Sequence, residues 1–304
     1  ICIPMDKGAI DLFEKQGYRI VGAHSAVKVC HWTKERLLRN RGCYKSKFYG
    51  IESHRCLQMT PSVAWCQHRC IFCWRPIEHT IGNEFDFEVD EPGFIVEESI
   101  KKQRVLLSGF KGNDKALKQE VEEAFEPKHV AISLSGEPTN YPPIDELIRE
   151  FNKRGLTTFL VTNGQNPEAL KSVRPTQLYL SLIAYDNELY RRINNPQHGD
   201  GWERLNKSIE IFRQKKTRRV IRITLLRGYN LDYPEKFAEL IKRARPDYIE
   251  PKGYVHVGYS RKRLEREDMP SFEEVYRFSE ILGRETGYKI KDYSTVSKVV
   301  LLSK

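Results

Sequence analysis

Cys66, Cys70 and Cys73 lie on one short run, Ala64-Trp65-Cys66-Gln67-His68-Arg69-Cys70-Ile71-Phe72-Cys73-Trp74, with the spacing C-x3-C-x2-C. Thiolates are the ligands of iron–sulfur clusters and of structural zinc, and both normally take four donors. Three thiols on one loop are one donor short, so a coordination position is left open for something that reacts. The competing assignment is a zinc site completed by His68 or His79. Zinc sites usually match one C-x2-C with a second close pair, and the sequence has none.

A second set, Cys30, Cys43 and Cys56, is spaced C-x12-C-x12-C with no close pair. Isolated cysteines are often small buried hydrophobes. The residues between these three are not core-like: Arg36-Leu37-Leu38-Arg39-Asn40-Arg41-Gly42 is strongly polar. The set therefore reads as metal-ligating, and zinc completed by His24, His31 or His54 competes with a cluster. Cys2 is left over and reads as a free thiol.

Elements must position these thiols. Six apolar runs read as strands, at 56–63, 130–134, 158–162, 178–183, 220–226 and 248–254. Segments of helical period alternate with them, at 94–110 with 114–125, 144–153, 167–173, 202–214 and 234–244, and 272–286 follows the last strand. Alternation of this kind demands right-handed βαβ crossovers and a parallel sheet. Six units are fewer than the eight of a closed barrel, so the expected fold is α/β, a partial (β/α)6 barrel with its chemistry at the carboxyl ends of the strands. The three-cysteine loop follows the first strand, where that rule wants it. Residues 1–55 read as an N-terminal extension carrying second-site cysteines, residues 56–304 as the barrel with a C-terminal helix and tail, and 77–93 as an acidic insertion or loop.

Composition narrows the class. At 304 residues, 39% hydrophobic and 30% charged, the chain is globular, and its apolar runs are too short to cross a bilayer. The start, Ile1-Cys2-Ile3-Pro4, carries no signal-peptide pattern, and the missing initiator Met points to residues upstream. Seven cysteines are too few for a disulfide-stapled secreted domain, and an odd number favours metal or catalytic thiols. A net charge of +10, with dense runs at Arg213–Arg219, Arg261–Arg263 and Lys101, Lys102, Arg104 and Lys111, points to a polyanionic partner such as RNA.

The stretch Cys43-Tyr44-Lys45, then Phe48-Tyr49-Gly50-Ile51, Ser53-His54-Arg55-Cys56 and Gln58-Met59, runs on into Cys66, Cys70, Cys73, Trp74 and Arg75. Together these residues resemble the wyosine-forming tRNA synthases, or 4-demethylwyosine synthases, of the radical S-adenosylmethionine (radical SAM) superfamily, whose signature is C-x3-C-x2-C. The resemblance covers essentially the whole chain and is to the archaeal form, which lacks a flavodoxin domain. It implies two [4Fe–4S] clusters: one on Cys66, Cys70 and Cys73 that cleaves SAM, and one on Cys30, Cys43 and Cys56 whose open iron binds pyruvate. It implies as substrates pyruvate and the N1-methylguanosine beside the anticodon of tRNA-Phe. A lysine amine can form a Schiff base with a ketone; Lys45 is the choice for that role, with Lys47 as rival.

For SAM itself, Ser133-Leu134-Ser135-Gly136-Glu137-Pro138-Thr139 resembles the superfamily's Gly-Gly-Glu-Pro element, with Ser135 in place of the first glycine. Gly136, Glu137 and Pro138 are therefore expected at the SAM amino group, with Asn163 and Ser181 at strand ends touching SAM and Arg222 pairing its carboxylate. Trp65, Phe72 and Trp74 would exclude water. No flavin or nicotinamide motif is present, so electrons must come from an external low-potential donor; no membrane partner is expected, and the location is cytoplasmic. Two further readings stay open: another radical SAM branch, such as a methylthiotransferase or peptide-modifying maturase, and a non-catalytic, zinc-stabilised RNA-binding protein.

Overall fold

The computed structural model describes residues 5–304, and Cys2 lies outside the described residues. Two compact units share the chain. The first takes residues up to 66, 79–161 and 172–176; the second takes 67–78, 162–171 and 177–304.

The first unit opens with α1 (Lys7–Lys15), β1 (Arg19–Val21), β2 (Ser25–Val27), α2 (His31–Arg39) and α3 (Tyr44–Tyr49). It continues through β3 (Cys56–Thr60), α4 (Pro92–Lys111), α5 (Lys118–Ala124), β4 (His129–Ile132), α6 (Ile144–Lys153) and β5 (Thr157–Thr162). Strands β3, β4 and β5 are parallel, and the β1–β2 hairpin adds antiparallel to β3. The extension thus joins the sheet instead of standing apart from it. Leu57, Met59, Val130, Ile132 and Leu160 are buried on these strands, as are Ile95, Val96 and Leu107 of α4. Helix α6 buries Ile144, Leu147, Ile148 and Phe151, the 3.6-residue stripe of an amphipathic helix. Truncating Phe151 to alanine would cost about 3–5 kcal/mol in lost burial and cavity.

The second unit contains α7 (Pro167–Ser172), β6 (Gln177–Ser181), α8 (Asn187–Asn194), α9 (Gly201–Gln214), β7 (Arg218–Leu225), α10 (Ala238–Ala244), β8 (Tyr248–Gly253), α11 (Phe272–Thr286), β9 (Lys289–Ser294) and β10 (Val299–Ser303). β6, β7 and β8 are parallel, and consecutive residues buried at Gln177–Leu180, Val220–Ile221 and Ile249–Pro251 suit strands covered on both faces. Ser271 and Glu274 form a capping box at the start of α11, and Gly287 ends it in the left-handed conformation. The tail past α11 is a hairpin: β10 pairs antiparallel with β8 and with β9.

Each of the six expected core strands is present within a few residues of its expected bounds, and α6 and α11 match theirs. Helix α8 was not expected. The 77–93 segment opens with a 3-10 turn at Ile77–His79 and is otherwise irregular up to Glu91, yet Phe85 and Phe87 pack on Trp65, so it covers core.

Candidate functional site

Cys30, Cys43 and Cys56 come from three different elements of the first unit. Cys30 is the N-cap of α2, Cys43 the N-cap of α3, and Cys56 the first residue of β3. None of the three is in a disulfide among the described residues. Burial pushes the Cys56 thiol up to about 12; Cys30 and Cys43 act on it in the same direction, while the Lys45 ammonium opposes them. Lys45 stands on α3, the helix that Cys43 caps. Ser53 organises it: its Oγ accepts from the Cys43 N–H at 2.9 Å and lies 2.5 Å from Ser46 Oγ, while its carbonyl accepts from Thr33 Oγ1 at 2.9 Å. The Gln103 amide donates to the Cys56 carbonyl at 3.2 Å.

Lys45 is half-buried, with its amine 5.3 Å from the Phe159 ring centroid, whereas Lys47 is exposed. Two of the three histidines weighed as zinc donors for this set, His24 and His54, are otherwise engaged. His24 Nδ1–H donates to the Pro61 carbonyl at 2.6 Å and its Nε2 accepts the Asp90 N–H at 3.0 Å, while burial lowers its pKa. His54 Nε2 faces Glu123 at 2.7 Å.

Cys66 belongs to the first unit, where its N–H donates to the Gly82 carbonyl at 3.1 Å beneath buried Trp65. The Ser135–Pro138 turn locks against this segment. Gly136 has φ +65°, and a Cβ there would sit 1.7 Å from the Ser62 carbonyl oxygen and 2.5 Å from that of Trp65. Only glycine fits both the dihedral and the approach. The Glu137 N–H donates to the Trp65 carbonyl at 2.8 Å, and Ser62 Oγ donates to the Glu137 carbonyl at 2.7 Å. Ser135 has a use of its own: its hydroxyl donates to the Val63 carbonyl at 2.8 Å, a contact glycine could not make. Buried Glu137 Oε1 accepts from the Thr139 N–H and hydroxyl, so this carboxylate also caps the turn that Pro138 opens.

Cys70 and Cys73 belong to the second unit. Their loop is tied by the Ile71 N–H to the Ile193 carbonyl at 3.0 Å, and by the Arg263 guanidinium, which donates to the Ile71 and Cys73 carbonyls and pairs with Glu78. Asn194 Nδ2 donates to Cys70 Sγ at 3.6 Å. His68 lies 2.7 Å from the Tyr190 hydroxyl, and burial, with Arg69 and His198 nearby, drives its pKa down to about 3. Its other ring nitrogen, Nδ1, lies 3.5 Å from the Asn194 amide, so both nitrogens of His68 are engaged within the protein. Phe72 and Trp74 are half-buried.

Among the described residues, no three Cys, His, Asp or Glu side chains gather as tightly as one metal ion needs. A single zinc ion draws its sulfurs to about 2.3 Å from one point. A cubane cluster places each cysteine on a different iron and keeps the sulfurs farther apart, so cysteines that do not meet at one point are compatible with a cluster.

Asn163 follows β5, and its Oδ1 accepts the Gln165 N–H at 3.0 Å. Ser181 ends β6 and registers beside Arg222 of β7, which registers beside Glu250 of β8. Arg222 pairs with fully buried Glu250 at 2.7 Å and covers the Tyr179 ring at 4.5 Å. Glu250, Tyr179, Ser53 and Asn194 were missed from sequence; a lone carboxylate in the apolar run of β8 was the available signal for Glu250.

Sequence comparisons follow the same lines as this geometry. The radical SAM superfamily model matches residues 60–241, and a wyosine base formation model matches 243–304. An S-adenosyl-L-methionine-dependent tRNA 4-demethylwyosine synthase of Pyrococcus abyssi is 54% identical, over 98% of this chain and 89% of that protein. The chain belongs to the tRNA 4-demethylwyosine synthases. The Methanocaldococcus jannaschii member is 47% identical over 96% of this chain and 94% of its own. A solved structure of TYW1 with a lysine–pyruvate adduct bound superposes with TM-score 0.91 at 44% identity, covering 98% of this chain and 96% of that one.

Membership makes the protein a radical SAM enzyme of wyosine biosynthesis on tRNA, with SAM and a [4Fe–4S] cluster as cofactors and the α/β partial-barrel fold of the superfamily. The non-catalytic reading and the other radical SAM branches are set aside by it. Among the described residues, no helix is long and apolar enough to cross a membrane.

The basic runs are largely spent on the fold. Lys101 pairs with Glu97 and Glu98, Arg104 with Glu126, and Lys111 covers the Phe125 ring. Lys215 donates to the Leu170 and Lys171 carbonyls, and Arg219 pairs with Asp247. Arg213 and Arg219 line an open cleft of about 500 Å³ with Arg245, Lys291 and Lys304. That cleft lies where β7 and β8 begin, the end of the strands away from the βα loops.

Proposed function

We propose that the chain condenses the N1-methylguanosine beside the anticodon of tRNA-Phe with pyruvate-derived carbons, using Lys45 to hold pyruvate and two triads of cysteine to hold two [4Fe–4S] clusters. Cys66, Cys70 and Cys73 would hold the cluster that, when bound, supplies the electron for SAM cleavage. Cys30, Cys43 and Cys56, with ligands from the 1–55 extension and the first residue of the 56–304 barrel, would hold the second.

The observation that carries this reading is the half-buried Lys45 amine over Phe159, on the helix that Cys43 caps, where Lys47 is exposed. A Lys45 amine there attacks the pyruvate ketone and loses water to give a Schiff base. The lysine–pyruvate adduct of the TYW1 structure supports the same use of a lysine. Gly136, Glu137 and Pro138 would receive the SAM amino group, and Asn163 and Ser181, at the ends of β5 and β6, would touch SAM. Arg222 would reach the SAM carboxylate only while keeping Glu250 as its partner. The tRNA substrate supports a cytoplasmic location, and reduction would come from a separate low-potential donor.

Borohydride trapping with labelled pyruvate tests the central point. Label should appear on one peptide, at Lys45, in the reconstituted wild type and be absent from Lys45→Ala. Label on Lys47, or undiminished label in Lys45→Ala, would reject the assignment.

A further inference from the structure

The mouth of the second unit, where β6, β7 and β8 end, carries aromatic rings each covered by a cation. Tyr185, on the loop after β6, meets Tyr233, on the loop after β7, with ring centroids 6.3 Å apart, and packs edge-on to buried Phe237 at 5.4 Å. Lys236 Nζ stands 4.4 Å from the Tyr233 centroid and 4.9 Å from that of Tyr185. Beside them, Arg192 of α8 covers Tyr229 at 4.5 Å. On the loop after β8, Lys262 covers Tyr259 at 4.6 Å, and the Tyr259 N–H donates to the carbonyl of Trp74, whose ring carries Arg75 at 4.9 Å.

We infer that this mouth is a stacking surface for unpaired nucleotides, and that its occupant is the anticodon loop of the substrate RNA; the inference rests on the tRNA reading above. Three features favour that occupant. Rings interleaved with cations match bases interleaved with phosphates, since every base offers a π-face and every linkage a negative charge. Tyr233 is 46% exposed, more than packing requires, and Val255 and Val257 beside the third loop are also exposed. The loops lie at the carboxyl ends of the strands, on the same side of this unit as Cys70 and Cys73, whereas the Arg213–Arg219 run lies at the other end. Acidic groups do share the mouth: Asp186, which caps α8, with Glu188, Asp232 and Glu235. They limit net attraction there, so stacking must carry more of the binding than charge.

The test uses the reconstituted holoenzyme and a fluorescent anticodon stem-loop bearing N1-methylguanosine, titrated at two salt concentrations. Tyr233→Ala should weaken binding by about tenfold, the loss of one base–aromatic stack. Tyr233→Trp should restore it, and Lys236→Gln should weaken binding and lower the salt slope by about one. Iron content and thermal midpoint, unchanged from wild type, establish that each variant is folded. Arg213→Gln with Lys216→Gln should bind as wild type. Equal binding by Tyr233→Ala and Lys236→Gln would overturn the surface while leaving the tRNA reading intact, as would a loss confined to the Arg213 and Lys216 variant. A wild type that binds no stem-loop would overturn both.

Discussion

The two cysteine triads solve one problem in opposite ways. Cys66, Cys70 and Cys73 sit within a single stretch, so their proximity is built into the chain. Cys30, Cys43 and Cys56 cap α2, cap α3 and open β3, so their proximity exists only when the first unit folds. A local triad is bound to appear wherever its loop is ordered. A dispersed one must be assembled, and Ser53, which bridges Cys43, Ser46 and Thr33, is part of the cost of that assembly.

Removing one thiol at a time should separate the two triads most clearly. Cys66→Ala should abolish 5′-deoxyadenosine formation, whereas Cys43→Ala should keep SAM cleavage and lose the tricyclic base. Iron after anaerobic reconstitution should fall from about eight to about four per chain in either variant. Four irons in the wild type, or zinc with the second set, would end the two-cluster reading. Next in size, Lys45→Ala should lose product with both clusters retained, and Lys47→Ala should stay within about threefold of wild type, since exposed lysines away from reacting atoms rarely matter; product release assayed by chromatography decides it.

Smaller effects probe the frame around each set. Glu250→Gln removes the buried partner of Arg222 and should cost about 3 kcal/mol in urea unfolding of the chain, because breaking a buried pair strands a charge. A cost near zero would mean that Arg222 finds its compensation elsewhere. Asn194→Ala removes the amide at Cys70 Sγ and should leave iron content unchanged while shifting the reduction potential of the first cluster to more negative values. An unshifted potential, read by electron paramagnetic resonance during a redox titration, would show the contact to be packing only.

Sequence made the local triad legible because its chemistry is written in adjacent residues. The dispersed triad was legible as spacing, but not its support: Ser53 acts through tertiary contacts that no period announces. The six core strands could be read from apolar runs, since a parallel sheet buries both faces. Helix α8 was hidden by its polar composition, Asn187 to Asn194, although Asp186 at its N-cap and Asn195 in the left-handed region mark its ends. The tail read as featureless because β10 gains its meaning from pairing with β8. Arg222 was visible; its partner Glu250 was not, because the pair depends on cross-strand register.

Arg263 has a bearing on how long the molecule lasts. Its guanidinium grips the Ile71 and Cys73 carbonyls and Glu78, all contacts that do not involve sulfur. A loop tied in this way would keep its course if a cluster on these thiols were lost to air, and little chain entropy would be spent to refill it. Arg263→Gln should therefore slow iron uptake by the stripped protein more than it lowers the final content. Fast uptake by the wild type would make the Arg263 tether a standing mould, one that lets the same polypeptide be refilled after oxidation.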